Sequence, residues 1–533
     1  MTEQISCSEL KQFMHKERNY ALFDVREPGE YNAGHISGAT LLPRRDIEFR
    51  IADLIPVRDT PIFVAGDLDE RDKLAATTIR RIGYKNVHVL EGGFPAWAEA
   101  GCPTATGVNV PSKEFGERVH IECAVPEIEP HELNRRAALG ERITILDART
   151  PEEYSRFCIP GGINVPGGEL ILRTADLMKD PKTTVVVNCA GRTRSIIGTE
   201  TLRFLGLSNV YALKNGTMGW LLAGLDLEQQ PNRETPQPSP ESRHEAEALA
   251  ARIVKEEKIP FMSVSELRDL IHRRHTQILY PIDVRSSEEY LSGHIPGFLW
   301  IPGGQAVQRA DDYIAVRNGT IVFTCDRQAR ATMTAHWYRR MGFNDVRVLK
   351  GGVQAWVESG LELEKGHPSR AILGLERAAA MVRFVATQGL AERIAEPSNM
   401  LVLDVGTSLE YKGGHLLGAL WISRGWLELK IPPLFARLDQ PIGVTCPTGE
   451  QSTLAAVTLT ELGFRNLFVL EGGVKNWQRE KRPLETGLTR ALIEPNDVVI
   501  SASATGDKEA MRRYLNWEIE LGKKYQNRSL SSN

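Results

Sequence analysis

The chain has 533 residues, of which 42% are hydrophobic, and a formal net charge of −3. That length predicts three to five domains at roughly 100–200 residues each, and the apolar share is ordinary for domains that bury a core. The near-zero charge argues against nucleic acid or an anionic membrane as partner, no run approaches the ~18 uninterrupted apolar residues of a membrane helix, and Met1 to Arg18 carry no secretory-signal pattern.

In chain order, four segments begin with an apolar run closed by Asp: Asp24, Asp147, Asp283 and Asp404. Each is followed by Glu-Tyr: Glu30-Tyr31, Glu153-Tyr154, Glu289-Tyr290 and Glu410-Tyr411. A second apolar run, such as Val185-Val186-Val187 or Ile321-Val322-Phe323, reads as a buried strand. A helical pattern follows: Ala75, Ile79 and Ile82 in the first repeat, Ala455, Leu459 and Leu462 in the last. Gly83, Gly206, Gly342 and Gly463 are placed to end those helices in the left-handed conformation. Counting 68 residues from each Asp gives Gly92, Asn215, Gly351 and Gly472, each followed by Gly, and counting 73 gives Trp97, Trp220, Trp356 and Trp477. The alternation of strand, loop, helix and strand predicts an α/β fold of four repeated modules, each a central, mostly parallel sheet flanked by helices.

The modules are expected at residues 16–106, 136–231, 272–367 and 393–487, with a linker at 232–260 and a tail at 490–533. The spacings between successive Asp residues are 123, 136 and 121. The long middle gap holds Pro231, Pro236, Pro238 and Pro240, then a charged, Ala-rich stretch from Glu241 to Lys258. It reads as a linker running into a connecting helix, so that modules 1 and 2 form one pair and modules 3 and 4 another, with first proteolytic cleavage between Gln229 and Lys258. Lys508 to Tyr525 predicts one further helix.

Seven cysteines are present: Cys7, Cys102, Cys123, Cys158, Cys189, Cys325 and Cys446. An odd number without a CxxC pair argues against a disulfide framework and for a reducing cytoplasm. The default role of such a residue is a small buried hydrophobe. Three depart from it, because counting 42 residues from each Asp gives Gly66, Cys189, Cys325 and Cys446.

Asp24-Val25-Arg26 with Gly34-His35-Ile36 and Gly38-Ala39, and Asp283-Val284-Arg285 with Gly293-His294-Ile295-Pro296-Gly297, together with the Gly-Gly…Trp ending, resemble the rhodanese family. The resemblance implies a sulfurtransferase in which a loop cysteine takes the outer sulfur of thiosulfate as a persulfide, releases sulfite and passes the sulfur to cyanide or a thiol. The signature Asp, Arg and His are expected in structural roles. Module 2 has Cys158 in place of the His, and module 4 has Gly406 in place of the Arg.

The reactive species is the thiolate, which a turn of backbone N–H groups at a helix start favours and basic side chains favour further. The module 2 loop, Cys189-Ala190-Gly191-Arg192-Thr193-Arg194-Ser195, carries +2, with Gly191 expected at positive φ and Ser195 as the helix cap. The module 3 loop, Cys325-Asp326-Arg327-Gln328-Ala329-Arg330, carries +1. The module 4 loop, Cys446-Pro447-Thr448-Gly449-Glu450-Gln451-Ser452, carries −1. Side-chain charge alone therefore orders the catalytic candidates, and their thiol acidity, as Cys189, Cys325, Cys446, with Arg192, Arg194, Ser195 and Arg330 as substrate-binding candidates. The module 1 loop, from Gly66 to Asp72, lacks a nucleophile and carries −3, which reads as a structural or recognition module. Phosphatases of similar fold place Arg six residues after Cys, where Ser195, Ala331, Ser452 and Asp72 stand here, so loop length argues against that activity. The other alternative is a binding or sulfur-relay scaffold fed by a persulfide-carrying protein. No cofactor or metal is expected.

Overall fold

The computed structural model of the protein describes residues 3–529 except 17–18, 178–179, 181, 234, 236, 369–370, 396–399 and 436. Each of the four repeats is an α/β module around a five-stranded parallel sheet. In module 1 the strands lie in the order Glu3–Ile5, Val87–Leu90, Ile62–Ala65, Ala21–Asp24, Thr40–Leu41, and modules 2 to 4 repeat that order. The sheet therefore extends in front of the expected starts of the modules: an entry strand and helix, such as Glu3–Ile5 and Cys7–His15, add its edge.

Both faces of each sheet are covered, which is why the strands read as unbroken apolar runs. In module 4, Leu403, Val444 and Val469 point into one core, and Val402, Leu470 and Trp477 into the other. Helices Arg71–Arg81 and Glu450–Glu461 form as their periodicity predicts. Their ends are fixed by Gly83 at φ +105 and Gly463 at φ +98. Chain order reverses between the strand that ends at Asp and the strand that ends at the loop, so the cysteine loops lie at the carboxyl ends of two neighbouring strands, where α/β sheets form binding crevices.

The pairing of modules differs from the expectation. The chain forms two compact units: residues 1–108 with 369–499, and residues 109–368 with 500–533. Module 1 thus pairs with module 4, and module 2 with module 3. The middle segment is a packed element of the second unit. Ser239 caps helix Pro240–Glu257 and donates to Asp176 Oδ1 (2.5 Å), Ser242 donates to the Leu172 carbonyl (2.7 Å), and Ala246, Leu249, Ala250 and Ile253 are buried. First cleavage in that helix is therefore not expected. Pro236, one of the prolines that suggested a linker, lies outside the described residues.

A sequence signal for the true pairing exists 20 residues after each Asp: Arg44, Gly167, Gly303 and Arg424. In the first unit Arg44 donates to Gly425 O (2.7 Å) and pairs with Glu428, while Arg424 pairs with Glu48 at 2.6 Å. In the second unit two Gly-Gly steps pack backbone against backbone. A Cβ on Gly168 would lie 3.0 Å from Gly303 Cα, and one on Gly304 would lie 3.2 Å from Gly167 Cα. We predict that Gly168→Val destabilises this unit by about 1–3 kcal/mol through overpacking. Calorimetry should show its unfolding transition several degrees lower, and an unshifted transition would contradict the contact.

Candidate functional site

In every module the loop starts from the same clamp. The glycine that closes the Gly-Gly step (Asn215-Gly216 in module 2) has left-handed φ (58, 56, 60 and 61° at Gly93, Gly216, Gly352 and Gly473). Its α-carbon presses on the carbonyl at the cysteine register: a Cβ there would meet Gly66 O at 2.5 Å, Cys189 O at 2.2 Å, Cys325 O at 2.4 Å and Cys446 O at 2.2 Å. The next N–H donates to that carbonyl, from Phe94, Thr217, Val353 and Val474, at 2.8–2.9 Å. The signature ion pairs form as expected. Arg26, Arg149 and Arg285 each grip the Asp two residues earlier, and His35 and His294 stack on Tyr31 and Tyr290.

In module 4 the buried Cys446 sulfur accepts from Gly449 N (3.1 Å) and Ser452 N (3.4 Å) and lies 3.5 Å from Ser452 Oγ, which donates to Gly449 O (2.8 Å). Burial pushes this thiol up, and the hydrogen bonds from Ser452, Gly449 and Thr448 oppose that. Gly449 takes φ +109, the left-handed turn that aims the amides inward.

Module 2 repeats part of this geometry. Cys189 is buried and its thiol lies 3.6 Å from Ser195 Oγ, which donates to Arg192 O (2.7 Å). Ser195 therefore serves the sulfur and the loop carbonyl and does not cap the helix. Gly191 is not at positive φ; it is glycine for space, since a Cβ would meet Glu518 Oε2 at 2.9 Å and Met218 Cε at 3.0 Å.

The charge count that ordered the loops does not survive folding. Arg194 pairs with Glu153 (2.6 and 2.8 Å), Arg330 with Glu289 (2.6 and 2.7 Å), and Arg71 of the module without cysteine pairs with Glu30 in the same way. Arg192 is held by Glu117 (2.6 and 3.0 Å) and Glu127 (3.0 Å). The Glu of each Glu-Tyr step was legible as a repeat, but its partner 41 residues on was not assigned. Module 4 has Gln451 at the Arg position, which accepts from Arg424 (2.6 Å) and donates to Arg45 O (3.0 Å).

Cys325 is fully buried, and burial and then Asp326 push its thiol well above the ordinary range, outweighing Arg330. Position +6 is Ala331, where modules 2 and 4 have serine. Glu247, from helix Pro240–Glu257, accepts from Gln328 N (3.4 Å) and Ala329 N (3.3 Å) and so occupies the loop amides. In module 1 a Cβ on Gly66 would meet Asp72 Cβ at 2.8 Å. The geometry favours Cys446 over Cys325, against the expected acidity order: both thiols are buried, but more hydrogen bonds reach the Cys446 sulfur and Asp326 lies beside Cys325.

The profile of the Rhodanese-like domain family matches residues 6–100, 129–223, 263–359 and 387–480, most of the chain. The chain belongs to the rhodanese family. Along its whole length this rhodanese resembles the crystal structure of thiosulfate sulfurtransferase from Pseudomonas aeruginosa, with TM-score 0.91, 34% identity and 98% of each chain covered. Shorter relatives match about one module. A sulfurtransferase of Allochromatium vinosum is 30% identical over 103 residues, 19% of this chain and 94% of its own. The Bacillus subtilis protein YqhL is 35% identical over 80 residues, 15% of this chain, and the match spans 62% of YqhL.

The Glu153–Arg194 pair generates a pH prediction. Burial alone would raise the Glu153 carboxyl, but hydrogen bonds and charge from Arg194 hold it at about 2, below its ordinary 4.5. A carboxyl depressed on folding contributes stability that is complete above the ordinary value and is lost as pH falls through the folded one. Glu153→Gln should therefore lower the unfolding temperature of the second unit at neutral pH, with the gap from the natural chain closing between about pH 4.5 and 2. A gap that stays constant across that window would exclude the pair as its cause.

Proposed function

We propose that this rhodanese is a sulfurtransferase that carries sulfane sulfur as a persulfide on Cys446 and Cys189, one in each unit. The observation that carries the reading is the Cys446 sulfur facing the amides of Gly449 and Ser452, with Ser452 Oγ alongside. Amides aimed at one point stabilise an anionic sulfur, and Cys189 shares the serine placement. The full-length likeness to a thiosulfate sulfurtransferase supports the donor class.

In the proposed step a cysteine thiolate attacks the outer sulfur of thiosulfate. A new S–S bond forms, the S–S bond of thiosulfate breaks, and sulfite leaves with its electron pair. A thiol, as its thiolate, or cyanide then attacks the terminal sulfur and the cysteine leaves as thiolate. A persulfide-carrying protein is an alternative donor. Arg194 holds the Cys189 loop in place through Glu153, and Arg330 does the same for module 3. Arg192 is tied to the helix before module 2. Seven free cysteines suit a reducing cytoplasm. Among the described residues no helix is long and apolar enough to cross a membrane.

After thiosulfate treatment, peptide mapping should find added sulfur on Cys446 first, on Cys189 more slowly, and none on Cys325. Thiocyanate formation should be lost in the Cys189→Ser, Cys446→Ser double variant and unchanged in Cys325→Ser. Ser452→Ala should slow Cys446 loading about fivefold, the worth of one hydrogen bond of about 1 kcal/mol. Sulfur recovered mainly on Cys325 would refute the assignment.

A further inference from the structure

The C-terminal helix Lys508–Ser529 has no counterpart in the repeat, yet it lies on the Cys189 loop. Met511 and Leu515 are buried against Met218, which itself donates its N–H to Ala190 O (3.1 Å). Glu518, one turn further, is buried and accepts from Thr193 Oγ1 (3.3 Å). Its other oxygen lies where a side chain on Gly191 would start, with Tyr514 beside it. The groups around the carboxylate are Lys113, Arg192, Glu117 and Tyr514, and Arg192 is already shared with Glu117 and Glu127. Burial and Glu117 push the Glu518 carboxyl up, and Lys113 and Arg192 oppose that. The cysteine that looked most electropositive in sequence is thus covered by a helix that brings a buried negative group to its loop.

Module 4 is built differently. The helix that precedes it in sequence, Leu375–Ala379, has five residues, against thirteen in Val110–Glu122 and eighteen in Pro240–Glu257. The Cys446 loop amides turn to their own sulfur, whereas an imported carboxylate lies on the Cys189 loop through Glu518 and on the Cys325 loop through Glu247.

We propose that the C-terminal helix is a selectivity lid on the Cys189 site, with Glu518 the residue that slows small anionic sulfur donors there relative to Cys446. This rests on the persulfide reading above. The discrimination is between charges: a thiosulfate dianion seated at Gly191 and Thr193 is repelled by the carboxylate beneath them, while an uncharged molecule of similar size is not.

Two alkylating reagents of similar size test it on the full chain, iodoacetamide, which is neutral, and iodoacetate, which is anionic, with rates read cysteine by cysteine from peptide masses. The neutral-to-anionic rate ratio should be larger at Cys189 than at Cys446. Glu518→Gln keeps the shape and removes the charge. It should bring the Cys189 ratio down about tenfold, the size one partly screened charge produces, raise sulfur loading of Cys189 from thiosulfate, and leave Cys446 unchanged in both respects. Equal ratios at the two cysteines in the natural chain would overturn the proposal even if the variant failed to fold. So would a Cys189 that resists both reagents alike before and after Glu518→Gln, which would make the helix a cover without charge selection. If no cysteine takes sulfur from thiosulfate while the reagent ratios behave as expected, the lid stands and the sulfur-transfer reading falls.

Discussion

Everything at these sites depends on one backbone contact, the hydrogen bond from the residue after each Gly-Gly or Asn-Gly step to the carbonyl at the cysteine register. It fixes where the loop leaves its strand, and it is present at Gly66, where there is no thiol, as well as at Cys189, Cys325 and Cys446. Only glycine tolerates the approach, since a Cβ on the second glycine would lie within 2.2–2.5 Å of that carbonyl oxygen. The clamp is therefore a property of the module and not of catalysis. Chemistry is added or withheld by what surrounds it.

What surrounds it is set chiefly by ion pairs. The arginine five residues after the register position is taken by the Glu of the Glu-Tyr step in modules 1, 2 and 3. The arginines are buried while their glutamates stay partly exposed, so these arginines are bound first to the fold. Module 4 escapes the arrangement: Gln451 bridges to Arg424 and Arg45 O. Each unit then combines a module whose cysteine meets a serine hydroxyl with a module that lacks that serine. Cys446 with Ser452 faces a module bearing Gly66 and Asp72, and Cys189 with Ser195 is joined to a module bearing Cys325 and Ala331.

The fold was legible because it is written in period and register. Strand runs, helix periodicity, the glycine stops and the shared position of three cysteines all follow from local rules, and family membership followed from the signature residues. The site was only partly legible. Counting Arg192 and Arg194 as free charge missed Glu117 and Glu153, which lie far away in sequence. The pairing of modules differs from the one the proline cluster suggests, because such a cluster marks a change of direction as readily as a flexible joint. The pairing was nonetheless encoded, in Arg44 and Arg424 against Gly167 and Gly303. Glu518 and Glu247 could not be placed from sequence, since neither belongs to the repeat.

The reactivity of these thiols is decided by the hydrogen bonds that reach each sulfur more than by the net charge of the loop. The most direct test is the pH dependence of alkylation of Cys446 and Cys325 in the intact protein, resolved by peptide mass. The account predicts that Cys446, with the less basic loop but with amides on its sulfur, reacts at lower pH than Cys325, whose burial and Asp326 neighbour keep it protonated. A Cys325 that titrates below Cys446 would contradict it and restore the ordering by loop charge.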